Sequence, residues 1–287
     1  MKHTNIHDPV VARQMPRSDF SIDQCWSEYS ADEHAVWDLL YARQLDILAK
    51  RAAPEFLNGL KTLELSRSGI PNLERLNPAL KALTGWEIVM VPHLVPDDVF
   101  FTHLANRRFP AGRFIRRRDQ LDYLQEPDVF HDIFGHVPML ANPVFADYMQ
   151  AYGQGGLRAL NLGTLKNLAR LYWYTVEFGL INSPEGLRIY GAGIVSSYGE
   201  SQFALEDPNP KRILFELERI MRTDYEIDQF QKTYFVIDDY AQLFEATQQD
   251  FGPIYERLLS NKQTYGTEDV LPKDRLISSS KAFNQHI

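Results

Sequence analysis

The chain has one cysteine among its 287 residues, Cys25, so an intrachain disulfide is excluded. No apolar run reaches the roughly 20 residues that a membrane-crossing helix needs, and the start Met1-Lys2-His3-Thr4-Asn5-Ile6-His7-Asp8 does not read as a signal peptide. Positive charge is short as well: 30 Lys and Arg face 38 Asp and Glu, a net charge of −8. That balance argues against nucleic acid as a partner, and the single basic cluster, Arg113 with Arg116-Arg117-Arg118, is short. Repeats, coiled-coil heptads and low-complexity tracts are missing too. What remains is 44% hydrophobic residues and a mean hydropathy of −0.33, which suit one large folded domain with a sizeable core and the cytoplasm as default compartment.

The densest chemistry lies in Phe130-His131-Asp132-Ile133-Phe134-Gly135-His136-Val137-Pro138, with Glu177 downstream in an otherwise apolar stretch. Two imidazoles and one carboxylate make the facial triad that holds a non-haem Fe(II) and leaves its other positions open for oxygen and substrate. Residues five apart on a regular helix point about 140° apart, five steps of about 100°. A continuous regular helix through both histidines is therefore excluded if they share a metal. Glu126-Pro127-Asp128 reads as a helix start, with Pro127 at the first helical position and Asp128 near the positive end of the dipole. Gly135 reads as the left-handed stop, reinforced by Pro138. His131 is thus expected in the last turns of a short helix and His136 just beyond its break. The zinc-protease pattern is absent, because Asp132 follows His131 and no His lies four positions on.

Glu177 belongs to a run from Thr164 to Gly179 that reads as a helix capped near Thr164 and ended by Gly179, apolar nearly all round in its second half and hence buried. A buried carboxylate needs a cation, a metal or a proton. A metal fits best, with Arg170 or Arg158 as the alternative ion-pair partners. On spacing alone, the histidines also read as one satisfied core residue and one surface residue.

Elsewhere the pattern is mostly helical, with small sheets near the site. Ser30-Ala31-Asp32-Glu33 is a capping box opening a helix through about Arg51, with Trp37, Leu40, Tyr41 and Leu45 as its buried stripe. Asn77-Pro78 reads as the start of a helix that Gly85 ends, Trp86 to Val91 as a strand, and Pro96-Asp97-Asp98 as the start of a helix carrying Phe100, Phe101 and Leu104. Residues 113–116 read as a second strand, Asn209-Pro210 as the start of a helix through about Arg222, Tyr234 to Ile237 as a strand, and 239–259 as mainly helical. The core is expected over about 30–262, with residues 267–287 polar and loosely held.

Three stretches resemble the pterin-dependent aromatic amino acid hydroxylases: Tyr123 to Pro138, Tyr172-Trp173-Tyr174-Thr175-Val176-Glu177-Phe178-Gly179, and Tyr190-Gly191-Ala192-Gly193-Ile194-Val195-Ser196-Ser197-Tyr198-Gly199-Glu200. They occur in the family's order across about Trp86 to about Tyr240, and the likeness is strongest to bacterial members acting on phenylalanine. The resemblance implies the family's catalytic-domain fold, mainly α with small β-sheets, over residues 1–287 as a single domain. It leaves no room for the regulatory domain or tetramerisation helix of animal members, so a monomer is expected.

The resemblance further implies Fe(2+) held by His131, His136 and Glu177, and a tetrahydropterin co-substrate contacted by Phe100, Val95 and Asp132. Phe100 would supply the stacking ring, Val95 a backbone contact and Asp132 an acid near the pterin. L-Phenylalanine would have its carboxylate taken by Arg116 with help from Ser196, and its ring lodged among Pro127, His131, Trp173 and Phe178. The implied reaction is hydroxylation of L-phenylalanine to L-tyrosine with O2. Tryptophan or tyrosine hydroxylation by the same mechanism is the alternative, with Trp173 leaving less room for an indole. From the residues alone, Arg116 reads as part of a solvated basic run, and Phe100, Trp173 and Phe178 as ordinary core. Tyr123 matches a tyrosine near the family's active-site entrance. Pro110 stands where animal members have a histidine near the pterin, and Leu124 where they have a threonine, so pterin and amine contacts are expected to differ. A divalent-metal hydrolase would need a placed general base that the sequence does not offer. A non-catalytic binder of aromatic amino acids would need a lost ligand or a blocked pterin site, and neither is present.

Overall fold

A computed structural model describes residues 8–122 and 126–277. Tyr123 and Leu124, and the last ten residues of the expected loose tail, lie outside them. The architecture is the expected one, mainly helical with small sheets. Strands β1 (Glu87–Val91) and β2 (Arg108–Gly112) pair in parallel across the helix Asp97–Ala105. Strands β3 (Leu180–Ser183), β4 (Gly186–Ile189), β5 (Lys211–Leu214) and β6 (Thr233–Ile237) form a second sheet in the order β4-β3-β6-β5. All five residues of β6 are buried, as a central strand with both faces covered should be.

The capping box is present: the Ser30 Oγ accepts the Glu33 N–H at 3.2 Å, and the Glu33 carboxylate accepts the Ser30 N–H at 2.7 Å. The helix it opens runs Ala31–Leu48, and its buried stripe is Trp37, Leu40, Tyr41, Gln44 and Leu48. Leu45 faces outward at 39% exposure. Gln44 takes the expected place of Leu45 because its amide N–H finds the Val195 carbonyl at 2.6 Å, which satisfies the buried polar group.

Three expectations about the elements fail, the first because a side chain that suggests a helix cap serves a strand instead. Asn77 opens no helix; its amide brackets Ile88 of β1, donating to the carbonyl at 2.9 Å and accepting the N–H at 2.8 Å. The helix is Leu73–Thr84, capped by Asn72, with Pro78 inside it and Gly85 ending it at φ +79°. Asn209-Pro210 precedes β5, and the following helix is only Leu217–Met221, capped by the Glu216 carboxylate. Residues 113–116 form no strand; the pairing with β1 is made by Arg108–Gly112 just before them. Residues 275–277, read as loose tail, hydrogen-bond to β5: the Leu214 N–H reaches the Arg275 carbonyl at 2.9 Å and the Ile277 N–H the Arg212 carbonyl at 2.8 Å. Asp274, 3% exposed, pairs there with the buried Arg219 at 3.1 Å.

The helix Asp97–Ala105 packs against Pro143–Leu162, whose Gly153 allows a close approach: a Cβ there would lie 2.4 Å from the Ala105 backbone nitrogen. Behind the second sheet, the Glu200 carboxylate is buried and accepts the Gln231 N–H at 3.0 Å and the Tyr234 hydroxyl at 2.8 Å. Burial pushes this carboxyl up to about 7, only partly opposed by those two donors. The unfolded chain therefore ionises first, so stability present below about pH 4.5 falls as pH rises through about 7, by about 3 kcal/mol at most. Urea titrations of wild type and Glu200→Gln at pH 5 and pH 8 are expected to show this fall in the wild type and its loss in the variant. Equal pH slopes would place the Glu200 carboxyl in its ordinary range.

Candidate metal centre

The two histidines share a continuous helical segment, and the expected break between them is absent. Phe130–His136 is a π-helix that runs into the regular turn Val137–Leu140. Its i→i+5 bonding widens the turn and brings residues five apart onto one face, the geometry that a regular helix forbids. Gly135 is not left-handed: a Cβ there would meet the Ala192 carbonyl at 3.0 Å, so the 192–195 turn packs closely against the glycine. The helix also starts later than Glu126-Pro127-Asp128 implies. Asp128 serves as acceptor for its first turn, taking the His131 N–H on Oδ1 at 3.0 Å.

Glu177 ends a second wide turn, Trp173–Glu177, that continues the regular helix Leu165–Tyr172. The Phe178 N–H reaches the Trp173 carbonyl five residues back at 2.8 Å. Thr164 precedes the helix without a side-chain cap, and Gly179 is not left-handed; the widened turn itself ends the helix. All three ligands thus sit on π-turns.

His131 Nε2 lies 3.2 Å from His136 Nε2 and 3.6 Å from Glu177 Oε2, and His136 Nε2 lies 3.2 Å from Glu177 Oε1. The three candidate ligand atoms fall within 4.8 Å of one another. Arg170 does not serve Glu177, because it pairs with Asp224, and among the described residues no Lys or Arg forms an ion pair with Glu177. Burial drives the His131 imidazole down to about 4, against the attraction of Glu177, so the ring is neutral at physiological pH. Burial alone would raise Glu177, but the two imidazoles outweigh it and hold the carboxyl below its ordinary value. Two imidazoles and a carboxylate converging on one point fit a divalent cation such as Fe(II), with a coordination face left free.

The tautomer of His131 is set from behind. The Ser196 hydroxyl donates to the Ala192 carbonyl at 2.7 Å, so it accepts from His131 Nδ1–H at 2.9 Å and leaves the Nε2 lone pair for a metal. Asp128, fully buried, takes Arg116 through Nε and Nη2, each at 2.9 Å, and Arg116 holds this carboxyl below its usual range against the effect of burial. Among the described residues, the Arg116 Nη1 has only the Leu121 carbonyl, at 3.4 Å. Of five guanidinium N–H groups, one on each Nη therefore remains for a further acceptor.

A cavity of about 320 Å³ opens at the ligands, and Val95, Phe100, Pro127 and Asp132 share its lining with all three. Asp132 accepts the Gly112 N–H at 2.7 Å, and burial raises its carboxyl to about 7. Trp173 and Phe178 lie outside that lining and pack on each other at the second wide turn, ring centroids 4.7 Å apart. The cavity also takes Phe109, Phe114, Glu126 and Tyr172, which the sequence did not single out as contacts. Phe109, whose ring centroid is 4.8 Å from that of His136, was hidden by the misplaced second strand. A larger cavity of about 860 Å³, between residues 17–27 and β1, contains none of the ligands.

Ser196→Ala is expected to weaken Fe(II) affinity by about 10- to 100-fold, read by competition with a chelator. Unchanged affinity would mean that the His131 ring needs no such partner.

The profile of the biopterin-dependent aromatic amino acid hydroxylases matches residues 21–270. The phenylalanine-4-hydroxylase of Caulobacter vibrioides is 64% identical over 262 residues, 91% of this chain and 89% of its own length. That of Ralstonia nicotianae is 62% identical over 266 residues, 93% of this chain and 85% of its own length. Among solved structures, the iron- and phenylalanine-bound phenylalanine hydroxylase of Chromobacterium violaceum matches with a TM-score of 0.88 at 54% identity, covering 93% of this chain and 97% of that one. Its cobalt-bound form matches at 0.91 and 56%, covering 93% and 96%. The fold and the ligand set thus meet in one family, and the chain belongs to the biopterin-dependent aromatic amino acid hydroxylases.

Proposed function

We propose that this protein converts L-phenylalanine to L-tyrosine, using Fe(II), a tetrahydropterin and O2. The observation that carries the reading is the convergence of His131, His136 and Glu177 within 4.8 Å, in the wall of a cavity that Phe100 also lines. The bound metal, with O2 and a reduced pterin, supplies the oxidation that places a hydroxyl on an aromatic ring.

The chain's own residues have three tasks. First, they hold the metal: Ser196 and Asp128 fix His131 from its Nδ1 and its backbone N–H, so the ligand does not reorganise when a substrate arrives. Second, they place the pterin. Phe100 offers a ring face for stacking, Val95 a backbone contact, and Asp132 an acceptor for ring N–H groups beside the ligands. Third, they orient the amino acid. The two uncommitted Arg116 N–H groups meet its carboxylate as a parallel pair, while Pro127, Trp173 and Phe178 border its ring and exclude water.

The same reading takes the chain as one catalytic domain, monomeric and cytoplasmic. The single domain is supported by the one family profile that spans residues 21–270, and among the described residues no helix is long and apolar enough to cross a membrane. The preference for phenylalanine is supported by the bulk of Trp173, which narrows the slot against an indole, and by the substrate named for the relatives.

Iron-loaded protein given a tetrahydropterin, air and equal phenylalanine, tyrosine and tryptophan is expected to yield tyrosine from phenylalanine, and only when iron, pterin and oxygen are all present. Product masses read the outcome. Hydroxytryptophan or dihydroxyphenylalanine as the main product would overturn the substrate, and no product from protein shown to hold iron would overturn the reaction.

A further inference from the structure

We infer that Gln231 is a positioning residue that fixes which way round the Trp173 indole lies about its Cβ–Cγ bond, and through it the shape of the aromatic slot. The inference rests on the proposed placement of Trp173 at the substrate ring.

Two aromatic neighbours contact the indole. Tyr225 stacks on it with centroids 4.3 Å apart and planes 16° from parallel, and Phe178 packs on it at 4.7 Å. Such contacts fix the plane of the ring and discriminate little against a half-turn about Cβ–Cγ, which keeps that plane and exchanges the two edges of the indole. Among the described residues, the one directional contact is the hydrogen bond from the indole Nε1–H to Gln231 Oε1, at 2.9 Å. Gln231 is 4% exposed and has no freedom of its own. Its Nε2 donates to the carbonyls of Glu226 at 2.9 Å and Gln229 at 3.3 Å, so the amide oxygen must be the end that faces the indole. Its backbone N–H is held at 3.0 Å by the Glu200 carboxylate. Gln231 therefore decides which edge of the indole the slot receives.

Gln231→Met keeps the length of the side chain and removes the acceptor, which leaves a partly buried N–H without its protein partner. In iron-loaded protein the phenylalanine dissociation constant, by calorimetry without oxygen, is expected to rise about tenfold, and the phenylalanine-over-tryptophan turnover ratio to fall. In a Trp173→Phe background the same change is expected to have no further effect, because the N–H is already gone. Replacing Trp173 by benzothienylalanine, which keeps the fused rings and lacks the N–H, leaves Gln231 and its anchors intact. It should reproduce the Gln231→Met result and decides the matter if that variant does not fold.

Equal effects of Gln231→Met in both backgrounds, or wild-type binding with benzothienylalanine at 173, would overturn the positioning role alone. A Trp173→Phe protein with unchanged phenylalanine affinity and substrate ratio would overturn the placement of Trp173 at the slot, and this inference with it.

Discussion

Three electron-pair donors point at one another across 3.2 to 3.6 Å in the interior of this protein: the Nε2 atoms of His131 and His136 and the carboxylate of Glu177. A carboxylate and two imidazole nitrogens gathered at one buried point form a ready seat for a cation, and among the described residues no Lys or Arg pairs with Glu177. The surrounding structure is arranged to hold that convergence. Two helical segments reach the site at different points of the chain, and each widens by one residue per turn where a ligand must be presented. Widened turns carry poorer bonding than regular helix and cluster at functional sites. Here the neighbours that maintain them can be named: Asp128 at the start of the first, and the 192–195 turn pressed against Gly135.

The layer around the ligands is held by charge-assisted and buried hydrogen bonds. Arg116 and Asp128 form a bidentate pair with both partners almost free of solvent contact. Removing either would leave a lone buried charge, a change that typically costs about 3–5 kcal/mol. One carboxylate thereby ties the segment carrying Arg116 to the first turn of the His131 helix. Ser196 joins that helix to the 192–195 turn, and Gln44 joins the same turn to the helix Ala31–Leu48. With the segment that carries Glu177, the candidate metal centre is therefore a junction of five chain segments, and its geometry depends on residues far apart in sequence.

Much of this was legible in the sequence. The candidate ligands His131, His136 and Glu177 were read from residue chemistry together with the family resemblance, and the structure brings them together; the Ser30 capping box and the Gly85 stop followed from local rules that tertiary contacts did not override. The register of the site was not legible. Regular-helix geometry correctly excluded a shared metal on an α-helix, but the chain resolves the conflict with a π-turn, against which Ala192, remote in sequence, packs at Gly135. Asn77 and Asn209 misled because an amide that caps a helix can equally bracket a strand or precede one. Phe109 and Phe114 became visible only once β2 was placed at Arg108–Gly112, with the cavity at its end.

The central claim is that one iron sits on both widened turns at once. Crystals of Fe(II)-loaded protein, with anomalous differences recorded above and below the iron edge, test it most directly. A single anomalous peak bonded to His131 Nε2, His136 Nε2 and a Glu177 carboxylate oxygen is the expected result. A peak that lacks any one of the three, or that lies elsewhere in the molecule, would contradict it.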